Sequence, residues 1–239
     1  MIFIVKGEEP EELKKVRDWT IEEGCTPEQA YDKLQNPEKR VVRNHLAQEQ
    51  GHLCAYCMCR IPRPDVENGV APIIIEHYIP RNPTDGRDLG QGLDYNNLLA
   101  VCHGNKSNIY KHGYKDLTCD AHRGNIEFRK VNPCDASTLK TIFYHMDGRI
   151  DASDPDVKID LVETLNLNCS QSPLIGERKA VLDALLNEIS IVSEEELLDY
   201  CNLILEAYEQ ETDPKTPYAG VIFWYLRDMI AKLEKQKSK

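Results

Sequence analysis

Two sets of residues in this sequence could do chemistry, and the first set is a group of cysteines. Cys54 and Cys57 form a C-x-x-C pair, and Cys102 and Cys119 follow further along the chain. A C-x-x-C pair in a tight turn can point two thiolates at one ion, and two further cysteines would complete a tetrahedral four-sulfur site. The 9 cysteines are an odd number, which argues against complete pairing into disulfides. We therefore predict that these four residues bind a structural Zn²⁺ ion.

Other assignments of the cysteines stay open. Cys59 is a rival for Cys57, and His103 is a rival for Cys102. Free cysteine is also among the most buried residue types, so these side chains could simply pack as small apolar groups. A redox protein that uses Cys54 and Cys57 is a further hypothesis, but that motif needs a strand followed by a helix, which the sequence lacks here.

The second set of residues forms a series of motifs along residues 52–130. In order they are the C-x-x-C pair, Glu76-His77-x-x-Pro80, Asn97 five residues before Cys102, and the run CDAHRGN at 119–125. Their order and spacing resemble the HNH endonuclease superfamily, whose ββα-metal fold has zinc cysteines flanking the active site. The last run is similar to the superfamily's ending Cys-x-x-x-Lys-Gly-Asn, with Arg123 in the place of lysine. The resemblance covers about a third of the chain.

This resemblance implies metal-dependent hydrolysis of phosphodiester bonds. Such hydrolysis needs a base that activates water and a divalent ion that stabilises the transition state and the leaving oxygen. His77 would be the general base, because a neutral histidine titrates near neutral pH. Asn97 would orient the imidazole or position the hairpin, unless it only forms a turn. Glu76 would be the first ligand of Mg²⁺ or another divalent ion, and His122 or Asn125 the second.

The stretch 103–118 departs from the superfamily pattern. It places 16 residues between Cys102 and Cys119, where ordinary members have two. Basic and aromatic side chains in this stretch could grip a phosphate backbone and stack on bases, or the stretch could be a solvated loop. Those side chains are Lys106, Tyr110, Lys111, Tyr114 and Lys115.

Helical patterns flank the cysteine-rich segment. We predict helices at 9–23, 27–50, 156–166, 174–190, 193–211 and 217–237, and a strand pair that turns at Asp147-Gly148. Thr26 and Ser193 are the predicted N-caps of the helices that follow them. The predicted fold class is α+β. A helical N-terminal arm at 1–51 and a helical C-terminal region at 151–239 would flank a small zinc-braced ββα-metal HNH core at 52–150.

Charge is divided unevenly along the chain. The 239 residues carry a formal net charge of −11. Residues 40–130 hold 12 Lys/Arg and 10 Asp/Glu, whereas the rest of the chain holds 17 and 30. A segment with so little net positive charge would bind nucleic acid weakly by itself. We therefore expect a partner that supplies or positions the substrate.

Three longer runs narrow the resemblance. EEPEELKKVRDW, VNPCDASTLKTIFYHMDGRI and ETLNLNCSQSPLIGERKAVLDAL are similar to the HNH nuclease subunit of Septu-type bacterial anti-phage systems, which also accompanies certain retrons. This similarity implies an effector subunit of a defence complex, with DNA more than RNA as the substrate. It also implies that an ABC-type ATPase partner docks on region 151–239, although that region could equally be a solvated helical cap.

The competing hypothesis is a zinc-stabilised module that binds nucleic acid or protein without catalysis. No stretch approaches the roughly 18–20 apolar residues of a membrane span. The N-terminal run lacks the basic start and cleavage site of a signal peptide. We therefore expect a cytoplasmic protein.

Overall fold

The protein combines helices with two small antiparallel hairpins. The computed structural model describes residues 1–61, 73–81, 85, 92–105 and 113–237. Helices α1 (Glu11–Glu22), α2 (Pro27–Lys33) and α3 (Glu38–Glu49) precede the hairpin of β1 (Ile74–His77) and β2 (Leu98–Val101). The short helices α4 (Cys119–Arg123) and α5 (Ala136–Leu139) precede the hairpin of β3 (Ile142–Tyr144) and β4 (Ile150–Ala152). Then follow α6 (Pro155–Ile159), α7 (Leu174–Ile189), α8 (Leu197–Glu209) and α9 (Ala219–Lys237). The predicted α+β class is confirmed.

The prediction of one helix at 27–50 is wrong, because Pro37 divides it. Proline lacks the N–H that a helix interior needs, and it disfavours helical backbone at the residue before it. Accordingly α2 ends at Lys33 and α3 begins at Glu38. The predicted N-cap Thr26 is confirmed, because its hydroxyl accepts a hydrogen bond from Gln29 N while the Gln29 side chain accepts one from Thr26 N.

Two further helix boundaries differ from the predictions. Ser193 is not an N-cap: its hydroxyl donates to Glu196 Oε2 at 2.7 Å within a turn, and α8 begins only at Leu197. The helix predicted at 156–166 is shorter, since α6 passes into a π-helical turn at Asp160–Thr164. There the buried carboxylate of Asp160 accepts hydrogen bonds from the backbone N–H groups of residues 129–131. These tertiary contacts override the local helical pattern.

The first hairpin carries the acid–histidine pair. Glu76 pairs with Leu99 and His77 with Leu98, and every residue of β2 is buried. The side chain of Gln50, directly after α3, donates to Ala100 O and accepts from Ala100 N, at 2.7 and 2.8 Å. The Gln50 amide therefore satisfies the backbone N–H and C=O of Ala100, as a neighbouring strand would, and fixes the end of α3 against the hairpin.

One apolar cluster includes side chains of this hairpin and of helices before and after it in the chain. Its fully buried members include Leu46 of α3, Leu98 of β2 and Leu182 of α7. They come from all three regions that the sequence distinguishes. A second and smaller cluster lies among α7, α8 and α9. The hairpin is thus positioned by burial against α3 within this shared core.

Helix length also bears on the membrane question. α9 has 19 residues and ends in a charged stretch. Among the described residues, no helix is both long enough and apolar enough to span a bilayer.

Gly104 brings the two ends of the long insertion together. Its carbonyl accepts a hydrogen bond from Thr118 N at 3.0 Å, and its φ of +56° lies in the left-handed region. A Cβ at this position would lie 2.0 Å from Thr118 O. The close approach that places Cys102 near Cys119 therefore depends on a residue without a side chain.

We expect Gly104→Ala to lower the free energy of unfolding more than Gly113→Ala does. Both glycines have positive φ, and Gly113 also has an extended ψ of −179°, so each alanine costs about 1–3 kcal/mol of backbone strain. The alanine at 104 adds about 1–3 kcal/mol of overpacking, whereas among described atoms nothing lies within 4 Å of a Cβ at 113. Urea unfolding of the two variants measures the difference, and equal losses would contradict the close approach.

Candidate active site and metal centre

The four cysteines predicted as zinc ligands lie together. The ligand atoms of Cys54, Cys57, Cys102 and Cys119 are all within 4.8 Å of one another. The Sγ atoms of Cys57 and Cys102 are 3.8 Å apart, and those of Cys102 and Cys119 are 3.7 Å apart. A tetrahedral site with Zn–S bonds of about 2.3 Å has sulfur atoms about 3.8 Å apart. The cluster therefore has the donor atoms and the spacing to bind a metal ion such as zinc.

Backbone hydrogen bonds hold these sulfur atoms in place. Cys54 N donates to Cys59 O, and Met58 N donates to Cys54 O, both at 3.0 Å. Met58 takes a left-handed φ of +64°, which turns the chain sharply after Cys57. Gly104 N lies 3.4 Å from Cys102 Sγ, as a donor to the sulfur. The turn and the end of β2 thus present their thiols to one point.

The geometry also selects among the rival ligands. Among the described residues, neither Cys59 nor His103 belongs to the group of mutually close ligand atoms. We therefore retain Cys57 and Cys102 as the proposed ligands.

Glu76 is buried between the cysteine turn and helix α4. Arg123 Nη1 pairs with Glu76 Oε1, and Tyr56 OH donates to the same oxygen at 3.0 Å. Burial raises the pKa of Glu76 to about 8; the Arg123 charge opposes this rise, while the charge and hydrogen bonding of Asp120 add to it. Glu76, Asp120 and Arg123 thus form one polar group at the contact between β1 and α4.

Arg123 fastens α4 to the hairpin. Its Nη1 donates to His77 O at 3.0 Å and its Nη2 to Tyr78 O at 2.6 Å, while its Nε donates to Ile126 O at 2.8 Å. The guanidinium also lies 4.2 Å from the centre of the Phe128 ring. Each described contact satisfies part of a charge that is fully buried. Arginine in the place of the superfamily's lysine is therefore a structural anchor in this chain.

Sequence analysis did not single out Asp120, although it stands directly after Cys119. The signal that could have identified it is the three-residue spacing between Asp120 and Arg123. Residues three apart leave a helix on the same side, so both reach β1. The motif drew attention instead to the later positions His122 and Asn125.

In the structure, the described partners of His122 do not include Glu76, and Asn125 is exposed. His122 Nδ1 lies 3.0 Å from Thr164 O, and its ring stacks on Tyr114 with centroids 5.4 Å apart. His122 is rotated by about 100° from Arg123 around the helix. Asn125 is exposed and follows Gly124, which ends α4. The metal-ligand roles of His122 and Asn125 therefore stay predictions.

Part of the predicted grip on a phosphate backbone can be located. Tyr114 is exposed, but its ring stacks on the His122 ring and its hydroxyl donates to His122 O. Lys115 is exposed beside it. The other side chains proposed for this grip, Lys106, Tyr110 and Lys111, lie outside the described residues.

His77 is buried, and a backbone carbonyl sets its tautomer. Its Nε2 lies 3.0 Å from Gly92 O, which can only accept a hydrogen bond. Nε2 therefore carries the proton of the neutral ring, and Nδ1 keeps a lone pair. Burial lowers the pKa of His77 to about 4, against the effect of the bond to Gly92. A neutral imidazole with a free acceptor nitrogen is the form that can take a proton from water.

Asn97 fixes the segment that follows β1. Its Oδ1 accepts from Ile79 N at 2.6 Å, its Nδ2 donates to Ile79 O at 3.0 Å, and its carbonyl accepts from Tyr78 N at 2.9 Å. Asn97 also ends the tight turn Tyr95–Asn97 that leads into β2. Of the two roles expected for this asparagine, these contacts perform the positioning of the hairpin.

We expect Cys119→Ser to reduce bound zinc from about one ion per chain to near zero, because serine removes one thiolate of the four. Cys59→Ser and Cys201→Ser are the controls. Cys59 lies beside the cluster, and Cys201 is a buried cysteine of α8. Elemental analysis of the purified proteins measures the zinc content. Loss of zinc from Cys59→Ser, with retention in Cys57→Ser, would show that the ligand set is wrong.

Sequence comparison relates the chain distantly to a protein whose name describes an HNH endonuclease. No protein-family profile matches the chain. The chain is 24% identical over 182 residues, covering 61% of this chain and 68% of the relative, to a protein of retron Ec83 from Escherichia coli whose name describes it as a proposed HNH endonuclease. This distant similarity supports the HNH superfamily and a nuclease activity.

Proposed function

We propose that this chain is a metal-dependent HNH endonuclease that hydrolyses phosphodiester bonds of nucleic acid, with His77 as the general base. One observation carries the proposal: the acid–histidine pair of β1 meets α4 through Arg123, and α4 begins at one of four clustered cysteines. Strands β1 and β2 and helix α4 would be the ββα-metal core, and the cysteines would hold its zinc. The distant similarity to the retron protein supports the same class.

Glu76 and Asp120 would hold the catalytic divalent ion. Their carboxyl oxygens are hard donors that suit Mg²⁺. Tyr56 and Arg123 contact Glu76 at Oε1, and the hydrogen bonding between Glu76 and Asp120 brings the two carboxyl groups side by side, as a shared cation requires. The two acidic groups also repel each other, and a bound cation relieves such repulsion. When bound, the ion would stabilise charge on the phosphate and on the leaving oxygen. We thus propose Asp120 for the role predicted for His122 or Asn125.

His77 would perform the proton transfer. Its Nδ1 accepts a proton from a water molecule while the oxygen of that water bonds to phosphorus. The bond between phosphorus and the leaving oxygen breaks, and the leaving oxygen takes a proton from solvent. Gly92 O holds Nε2–H during this step, so Nδ1 is the ring nitrogen that can accept the proton. Asn97 keeps the end of β1 in register.

We expect His77→Ala to slow cleavage by about 10²–10⁴-fold, because it removes the general base. Asp120→Asn should raise the Mg²⁺ concentration for half-maximal cleavage by about tenfold or more, since it replaces a negatively charged carboxylate of the ion site by a neutral amide. Cleavage of labelled DNA and RNA over a Mg²⁺ titration, with EDTA as the blank, measures both effects.

His145→Ala is the control, because His145 is a partly exposed histidine that pairs with Asp151 outside the proposed site. Its cleavage rate should match that of the parent protein. A fully active His77→Ala protein would exclude the assigned base. An inactive parent protein with normal zinc content would favour the hypothesis of a binding module without catalysis.

We also propose that the C-terminal region docks the ABC-type ATPase that the Septu-type resemblance implies. A shallow groove at the join of α7 and α8 exposes Ile191 and Leu203, whose exposed fractions are 87% and 63%. Glu188, Glu196 and Asp199 line the same groove. An apolar centre within an acidic rim fits a partner segment that carries basic residues around an apolar anchor.

We expect the double variant Ile191→Ser and Leu203→Ser to lose co-purification with the ATPase encoded alongside, because it removes the apolar centre. Ile21→Ser is the matched control, since Ile21 is a 68% exposed isoleucine of α1. Pull-down from cells that express both proteins gives the result. Equal recovery of the ATPase with the double variant and the control would exclude this groove as the docking site.

A further inference from the structure

Cationic side chains gather around one tyrosine beside His77. The Tyr31 ring meets the His77 ring edge-on, with centroids 4.5 Å apart. Arg81 Cζ lies 4.2 Å from the centre of the Tyr31 ring, and Lys39 Nζ lies 4.8 Å from it. Both cations and the imidazole therefore contact the same aromatic ring. We call Tyr31, Lys39, Arg43 and Arg81 the Tyr31 cation cluster.

Different parts of the chain supply this cluster. Tyr31 belongs to α2, Lys39 and Arg43 belong to α3, and Arg81 follows β1. Tyr31 is buried, so it is a fixed support on which Lys39 and Arg81 stack. The N-terminal helical arm thus brings positive charge to the end of the strand that carries the acid–histidine pair.

The cluster holds its positive charges close together, and Asp32 is the acid whose ion pair with it is seen in the described part of the chain. Burial lowers the pKa of Lys39, and the charges of Arg43 and Arg81 lower it further. Asp32 is 3.5 Å from Arg81, but its side chain is 72% exposed, so this pair is weakly stabilising. Arg43 Nε is buried and has no hydrogen-bond partner among the described residues. Repelling cations with an unsatisfied donor are the arrangement expected where an anion binds.

We propose that the Tyr31 cation cluster binds the phosphodiester backbone of a nucleic acid strand beside the bond that His77 hydrolyses. This inference rests on the proposed function for the identity of the ligand. Lys39 Nζ and Arg81 Cζ lie 4.8 and 4.2 Å from one ring centre, so their charges converge on one place where backbone phosphates can accept hydrogen bonds. Their position next to His77 would set the register of the strand at the base.

This placement explains how a chain with a net charge of −11 could bind nucleic acid at all. Counts over residues 40–130 average the charge along the sequence, whereas the fold concentrates cations from α3 and from the end of β1 at one place. Local concentration of charge, not net charge, determines the contacts with phosphates.

The test measures binding by the full-length zinc-loaded chain in a His77→Ala background, which prevents cleavage. Fluorescence anisotropy with duplex and single-stranded oligonucleotides is recorded from low to moderate NaCl concentrations. The test protein carries Lys39→Gln, Arg43→Gln and Arg81→Gln, both singly and together. The control carries Arg149→Gln, Lys179→Gln and Lys232→Gln, which remove three exposed cations paired with acids elsewhere.

We expect the cluster triple variant to bind at least about tenfold more weakly at low salt than the control. Each lost phosphate contact should also reduce the slope of log affinity against log salt by about 0.9. The single variants should give partial losses, so a folding defect in the triple variant would not hide the result. Equal affinities and slopes for cluster and control variants would overturn the proposal. Undetectable binding by the His77→Ala protein at low salt would also overturn it.

A second readout separates this proposal from the proposed function. With His77 restored, Arg81→Gln should raise the KM for cleavage by about tenfold while kcat changes little, because the cluster binds substrate and does not transfer protons. A parent protein that binds through the cluster but never cleaves would fail the proposed function alone. Normal cleavage by a cluster variant with an unchanged KM would fail this proposal alone.

Discussion

Arg123 carries a positive charge into the interior, where its side chain is 0% exposed and pairs with the carboxyl group of Glu76. Burying a charge is costly unless hydrogen bonds and an opposite charge replace its water. The replacements come from three places: Tyr56 lies in the cysteine turn, Glu76 and the His77 carbonyl belong to β1, and Ile126 follows α4. The charge is therefore satisfied only when these three parts of the chain are assembled together.

This constraint connects the metal centre with the acid–histidine pair. Tyr56 stands between Cys54 and Cys57, and Arg123 stands four residues after Cys119. The hydrogen bond from Arg123 to Tyr56 OH therefore connects the two halves of the cysteine cluster. A zinc ion bound by the cysteines would fix the turn against α4. It would thereby hold Glu76 and its neighbour Asp120 at the place where the proposed catalytic ion binds. The proposed structural and catalytic roles would thus depend on one set of contacts.

Local patterns predicted the parts of the site, and long-range contacts determined how they combine. Cys54 and Cys57, and the histidine at the end of β1, were identifiable because each motif spans only a few residues. The helix break at Pro37 was also predictable, since proline disrupts a helix wherever it stands in the interior. The partner of Glu76 was not, because Asp120 reaches β1 only through the orientation of α4. The Tyr31 cation cluster likewise combines residues of the N-terminal arm with Arg81, and no sequence period relates them.

The central claim is that this chain hydrolyses phosphodiester bonds with water activated at His77. Its most direct test is cleavage of DNA and RNA by the zinc-loaded chain in oxygen-18 water, followed by mass spectrometry of the new ends. The account predicts Mg²⁺-dependent cuts in which the terminal phosphate carries one oxygen-18 atom from solvent. Intact substrates, or cuts whose terminal phosphates contain no solvent oxygen, would contradict it.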